Sequence, residues 1–194
     1  MARPASLRAA FAHPFPARDW VLPAPELARK LLGARLVHRI GREFRGVRIV
    51  ETEAYGRGDP ASHAFLGPSV RNRSMFGPPG TLYVFAIHQV LCANVVGRSG
   101  EAALIRAGEP LMPGLSSTSG PGRLCRALAI QRGMDGWNLE ESEIRLLPGP
   151  APPPSIDAGR RVGITSARER PLRFAVSSNR WVSRPLRGLR RLDA

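Results

Sequence analysis

Apolar positions switch between helical and strand spacing along the chain, and the switches outline its elements. In "APELARKLLGARLV", Leu27, Leu31 and Leu32 fall at helical intervals behind Pro25 and Glu26, and Gly33 follows as a stop, which predicts a short helix. A strand follows over about 34–40. "EFRGVRIVETEAY" alternates and is rich in β-branched residues, predicting a second strand over about 45–55. "GRGDPASHAFLGPSVRNRSMFGPPG" is a long Gly- and Pro-rich connection, of the kind compact domains keep for function or motion. "TLYVFAIHQVLCANVV" reads as two strands joined by a tight turn near His88 and Gln89, and "AALIRAGEP" as a further strand.

Farther on, "GPGRLCRALAIQRG" carries Leu124, Leu128 and Ile130 on one face between a Gly-Pro-Gly entry and Gly133, and so predicts a helix opening on a flexible loop. "LPGPAPPPS" is a proline-rich surface loop, "RRVGIT" and "PLRFAV" are short strands, and "RPLRGLRRLDA" is a basic tail. Few helices among several short strands define an α+β domain. The organisation read from the pattern is an irregular arm over 1–23, one domain over 24–187 and a basic tail over 188–194. His13, His38, His63 and His88 recur at equal intervals, but their neighbours share no pattern, so no repeat is inferred.

The 194 residues suit a single domain, which at this size buries about 70% of its unfolded surface. The net charge of +14 points to a polyanionic partner, nucleic acid or an anionic surface. Lys30 is the only lysine, and arginine supplies the rest of the positive charge. Its planar fork suits phosphate. No apolar run reaches the roughly 20 residues a membrane span requires, and the amino-terminal stretch lacks an apolar signal region. Cys92 and Cys125 have no metal-ligand spacing and fit a reducing compartment, so the expected location is the cytoplasm. The histidines are scattered, and neither a metal nor another cofactor is expected.

Chemistry concentrates in "VETEAYGRGDPASHAF", residues 50–65. On a strand Glu51, Glu53 and Tyr55 share a face, with the two carboxylates about 7 Å apart by strand rise. Paired glutamates suit acid/base work, and burial of one beside the other raises a pKa. The plainer alternative is a solvated acidic edge facing the abundant arginines.

Six stretches in order, "RIVETEAY", "DPASHAF", "RNRSMFGPPGTLYVF", "ALIRAGEPL", "GPGRLCRALAI" and "PLRFAVSSNRWVS", make the chain resemble the alkyladenine (methylpurine) DNA glycosylase family from about residue 13 to 187. The resemblance implies a curved, mostly antiparallel sheet with flanking helices and a protruding β-hairpin. It implies an enzyme that flips a damaged purine out of double-stranded DNA and hydrolyses its N-glycosidic bond. Glu53 then matches the general base, with Glu51 structural or tuning it, and Arg106 matches the arginine that orders the attacking water. Tyr55, His63 and Phe85 match the aromatic faces that hold the base, Phe85 standing where the family usually has tyrosine. Asn94 matches the pocket asparagine that disfavours guanine. Plain packing for Phe85, and a capping or ion-pairing role for Asn94 or Arg106, are the simpler alternatives. Arg71, Arg73 and Arg123 stand on loops or at a helix start, where they suit phosphate; Met75 presses on the opposite strand or packs.

The chain departs from the family pattern at the hairpin. His88 occupies the place of the intercalating tyrosine, and the stretch from His88 to Asn94 is one residue shorter than usual, which switches faces unless the turn or a bulge absorbs it. Lys30 sits in the first predicted helix, where it cannot form a Schiff base, so a monofunctional, monomeric enzyme is expected. Two rivals stand beside this reading. An O-glycoside hydrolase would use Glu51 and Glu53 as its pair, although adjacent positions on one face straddle a bond poorly. A non-catalytic module would bind damaged DNA through an altered hairpin without turnover.

Overall fold

The computed structural model describes residues 4–115, 117–184 and 188–192. The ends of the arm and tail, and part of the stretch just before the tail, lie outside them. The described chain forms one nine-stranded sheet in which every strand pairing is antiparallel. Its strands are β1 (Arg35–Ile40), β2 (Glu43–Tyr55), β3 (Leu82–Ile87), β4 (Val90–Val96), β5 (Ala102–Pro110), β6 (Ile144–Leu147), β7 (Ile156–Gly159), β8 (Arg173–Val176) and β9 (Arg190–Arg191). The order is β3-β4-β5-β2-β8-β7-β9, and β1 pairs with both β2 and β6. The long strand β2 is the axis. One of its edges carries β5; the other carries β1 along its first half and β8 along its second.

Three helices accompany the sheet: α1 (Pro4–Phe11), α2 (Ala24–Lys30) and α3 (Pro121–Ala127). Helix α2 forms where its signals stand, with Pro25 in the first turn, Glu26 at the positive end of its dipole and Arg29 and Lys30 at the negative end. The Glu101 carboxylate accepts the Ala24 N–H at 2.6 Å and satisfies one of the donors the helix start leaves free. Leu27 and Ala28 of α2, and Leu124 of α3, enter the main core with Val47 and Ile49 of β2, Leu82 and Val84 of β3, and Ala103 and Ile105 of β5. Helices α2 and α3 therefore cover one face of the sheet. Across from them, α1 covers the other face at β1 and β6, and the end of β2 on that face carries the glutamates.

Several expectations are corrected. The arm over 1–23 is not irregular throughout, because Leu7 and Phe11, four residues apart, make one face of α1 and bury it against Val37 and Leu147. The helix read across 120–133 ends at Ala127: Ala129 takes φ 52°, a left-handed conformation that stops a helix. "RRVGIT" is not a strand, and β7 lies just before it. Strand β6 had no alternating signal in its four residues, and the basic tail contributes β9, paired with β7.

Candidate active site

The strand that carries the two glutamates changes face midway. Val47 and Ile49 face α2 and α3, and by simple alternation Glu51, Glu53 and Tyr55 would face them too. Instead Thr52 and Ala54 do: Thr52 Oγ1 donates to the Ala28 carbonyl of α2 at 2.8 Å, and Ala54 lies in the main core. Between Ile49 and Thr52 the register with β5 slips twice, leaving Val50 on β2 and Arg106 on β5 as extra residues. This paired irregularity turns Glu51, Glu53 and Tyr55 to the face opposite α2 and α3. Arg106 leaves β5 on the same side, so the glutamates meet their counter-charge.

The two glutamates are both fully buried but do different work. Glu51 is saturated. Its Oε1 accepts from Arg106 Nε at 2.9 Å, Arg173 Nε at 2.7 Å and Ser183 Oγ at 2.9 Å, and its Oε2 from the Ser183 N–H at 2.6 Å. Glu53 is held more openly: Oε1 accepts the Val162 N–H at 2.8 Å and lies 3.3 Å from Arg106 Nη1, while Oε2 accepts the Tyr55 hydroxyl at 2.8 Å. Burial pushes the Glu53 pKa above the usual carboxylate range; Arg106, the Val162 N–H and the Tyr55 hydroxyl pull against it, and Glu51 adds to the rise. Burial and the neighbouring Glu53 likewise keep the Tyr55 phenol protonated.

Beside the glutamates opens a pocket of about 530 Å³, lined among others by Tyr55, Val162, His63, Phe85, Asn94 and Arg106. The size is that of a small-molecule site. His63 accepts or donates at 2.8 Å through Nδ1 to the Tyr83 hydroxyl, and its ring meets Phe85 edge-on with centroids 4.5 Å apart. Burial lowers the His63 pKa, which keeps its ring neutral at neutral pH. Asn94 is buried and donates to the Tyr83 carbonyl at 3.0 Å, fixing its amide beside the pocket. Met75 packs with Tyr83 and lines the same space. Cys92 also borders it, with burial pushing its thiol up to about 11.

Strands β3 and β4 pair from Leu82↔Val95 to Ile87↔Val90 around a two-residue turn at His88 and Gln89, and Asn94 lies on the pocket side. His88 (φ 45°) and Gln89 (φ 69°) both take the left-handed conformation that such turns usually give to Asn or Gly. Each costs about 1–2 kcal/mol there. His88 stands exposed at the turn on the pocket rim, flanked by the half-exposed Ile87 and Val90. Arg71, Arg73 and Arg123 are exposed on the connection after the pocket and at the start of α3, outside the pocket lining.

Tyr83, Asp59, Arg161, Val162, Arg173 and Ser183 also shape the site and were missed by the sequence reading. Tyr83 was within reach, since it shares a strand face with Phe85. Asp59 lies close to Glu53 in the chain but acts by pairing with the distant Arg161, and the others come from segments a hundred or more residues from the glutamates and carry no local signal. Among the described residues no cluster of His, Cys, Asp or Glu could hold a metal ion, and no helix is long and apolar enough to cross a membrane.

A buried carboxylate directly behind the lining of an aromatic pocket, held by three of the lining residues, is equipment that suits a hydrolytic enzyme. A sequence model described as Methylpurine-DNA glycosylase matches residues 19–180. Three relatives carry the name "Putative 3-methyladenine DNA glycosylase". The protein of Anaeromyxobacter sp. (strain Fw109-5) is 50% identical over 89% of this chain and 92% of its own. That of Methanoculleus marisnigri (strain ATCC 35101 / DSM 1498 / JR1) is 42% identical over 81% and 92%. That of Nitrosospira multiformis (strain ATCC 25196 / NCIMB 11849 / C 71) is 40% identical over 89% and 95%. The chain belongs to the methylpurine-DNA glycosylase family, and so to the enzymes that hydrolyse a glycosidic bond in DNA repair.

Proposed function

We propose that the protein is a monofunctional glycosylase that takes an alkylated or deaminated purine out of duplex DNA into the pocket and hydrolyses its N-glycosidic bond with water activated by Glu53. The observation that carries this reading is the contrast between the glutamates: Glu51 spends its oxygens on Arg106, Arg173 and Ser183, whereas Glu53 is bound to Tyr55, Val162 and Arg106, three residues that line the pocket, and lies directly behind them.

Tyr55, His63 and Phe85 offer flat faces to a purine, and stacking on such faces is worth about 1–3 kcal/mol per base. A ring-alkylated purine carries positive charge and gains further from electron-rich rings. In the reaction the bond between the sugar C1′ and the base nitrogen breaks and its electron pair leaves with the base. The water oxygen bonds C1′, and its proton passes to Glu53. Arg106, beside Glu53, opposes the burial that would keep the carboxyl protonated and so keeps the base usable. The negative Glu53 also faces the positive charge that develops on the sugar. A cationic base leaves as a neutral molecule, so no acid is needed for it.

His88, on the exposed turn, is suited to fill the gap left by the displaced nucleotide, and Arg71, Arg73 and Arg123 to contact phosphates. The proposal includes action as a monomer in the cytoplasm, with which two free, buried cysteines agree.

The test is product analysis on duplexes bearing 3-methyladenine, 7-methylguanine, hypoxanthine or ethenoadenine. Free base should appear, and the strand should break only after alkali. A strand nicked without alkali, or no base released from any duplex, would overturn the reading.

A further inference from the structure

Three separate pieces form part of the pocket wall: the end of β2 with Tyr55, the turn over 59–63 with Pro60, Ala61 and His63, and the loop over 162–166. One side chain joins all three from behind. Arg161 is buried, yet it is not part of the pocket lining. Its Nη1 donates to the Ala54 carbonyl at 2.9 Å, at the end of β2. Its two terminal nitrogens bind both oxygens of the buried Asp59, Nη2 to Oδ1 at 3.0 Å. Its guanidinium lies 4.7 Å from the centre of the Tyr55 ring. The next residue along the chain, Val162, gives Glu53 its backbone N–H.

Asp59 passes the constraint on. Its Oδ1 accepts the Ala61 N–H at 3.1 Å and its carbonyl accepts the Ser62 N–H at 2.8 Å, closing the turn that presents His63. The cost of sinking this pair in the interior is poorly explained by stability alone, because apolar residues would fill the space as well. A planar, bidentate and stacking group is what the geometry uses, and only arginine supplies all three.

We propose that Arg161, locked by Asp59, is a positioning residue that sets the distance and tilt between the Tyr55 wall and the His63 wall and ties both to the Glu53 anchor, so that a displaced base finds a slot already spaced for one ring. The inference rests on the lesion-binding reading above and deepens it. It assigns to a pair outside the pocket the pre-organisation of the stack, while the stack itself belongs to Tyr55 and His63.

The test uses the full chain carrying Glu53→Gln, which holds substrate without turnover, with Arg161→Lys or Asp59→Asn added, and Arg39→Lys at an exposed ion pair as control. Ethenoadenine in a duplex is the probe: its emission follows entry into the pocket, and anisotropy of a labelled duplex follows overall binding. Both pocket variants should keep duplex affinity, while capture of ethenoadenine falls about 100-fold, the scale of an ångström-level misplacement in a pre-organised site. Arg39→Lys should change neither. Capture undiminished in the pocket variants overturns the proposal. Should Arg161→Lys fail to fold, the isosteric Asp59→Asn decides in the same way. If the Glu53→Gln parent itself shows no emission change, the lesion-binding reading falls, and hydrogen exchange decides about Arg161. Amides over 59–63 exchanging about tenfold faster in Asp59→Asn, with β2 and β5 unchanged, support the positioning role, and unchanged exchange overturns it.

Discussion

Replacing each of the two glutamates by glutamine should have opposite consequences. Glu51 is fully buried and accepts four hydrogen bonds, two of them from buried arginines. Removing one partner from a buried ion pair costs about 3–5 kcal/mol, and glutamine, which keeps shape but turns an acceptor into a donor, belongs near the lower end. For a chain of this size about 3 kcal/mol lowers Tm by roughly 6–12 °C. Glu53 differs, because burial raises its pKa in the folded protein. A carboxyl that binds its proton more tightly when folded supports stability most fully at pH below its unfolded pKa. That support is lost as pH rises toward the folded value, so at neutral pH ionised Glu53 is a burden. Glutamine keeps an acceptor for Val162 and Arg106, and the Tyr55 hydroxyl can turn to accept from its amide. Glu53→Gln should therefore melt at or above the wild-type temperature at pH 7.5, with the advantage shrinking on acidification, while base release disappears. Thermal unfolding by circular dichroism across pH, run beside a base-release assay, reads both. A Glu51→Gln protein that melts within 2 °C of wild type, or a Glu53→Gln protein destabilised as much as Glu51→Gln, would refute the division of labour.

Other outcomes follow from the same geometry. Tyr55→Phe removes a hydrogen bond that lowers the Glu53 pKa, so the acid limb of the single-turnover pH profile should move to higher pH; an unmoved or lowered limb would separate Tyr55 from the base. Gln89→Gly relieves a left-handed residue and should raise stability by about 1 kcal/mol, or Tm by roughly 2–4 °C; no rise in thermal unfolding would mean the turn is unstrained. Alanine at Arg71, Arg73 or Arg123 should each reduce the slope of log K against log salt for duplex binding by about 0.9, and an unchanged slope would remove that arginine from the phosphate contacts.

How much of this could be read from the chain depended on distance. Strand β5 and the turn at His88 and Gln89 were legible because alternation and turn length are local properties. So was the grouping of Glu51, Glu53 and Tyr55 on one face. What alternation could not say was which face, since Val47 and Ile49 share their parity and lie in the core; the irregularity opposite Arg106 decides that, and it arises from pairing with β5. Glu51 illustrates the limit in another way. Its partners Arg173 and Ser183 come from the far end of the chain, and nothing near Glu51 marks them. Helix α1 went unread because prolines beside Leu7 and Phe11 suggested an irregular arm, whereas the contact with Val37 and Leu147 outweighs that propensity.

The central claim is that Glu53 activates the water that displaces the base. The most direct measurement is single-turnover base release from a 3-methyladenine duplex by wild type and Glu53→Gln, with duplex binding followed in parallel. The account predicts release by wild type, loss of at least about 100-fold in Glu53→Gln, and unchanged binding. Equal release by the two proteins would contradict it.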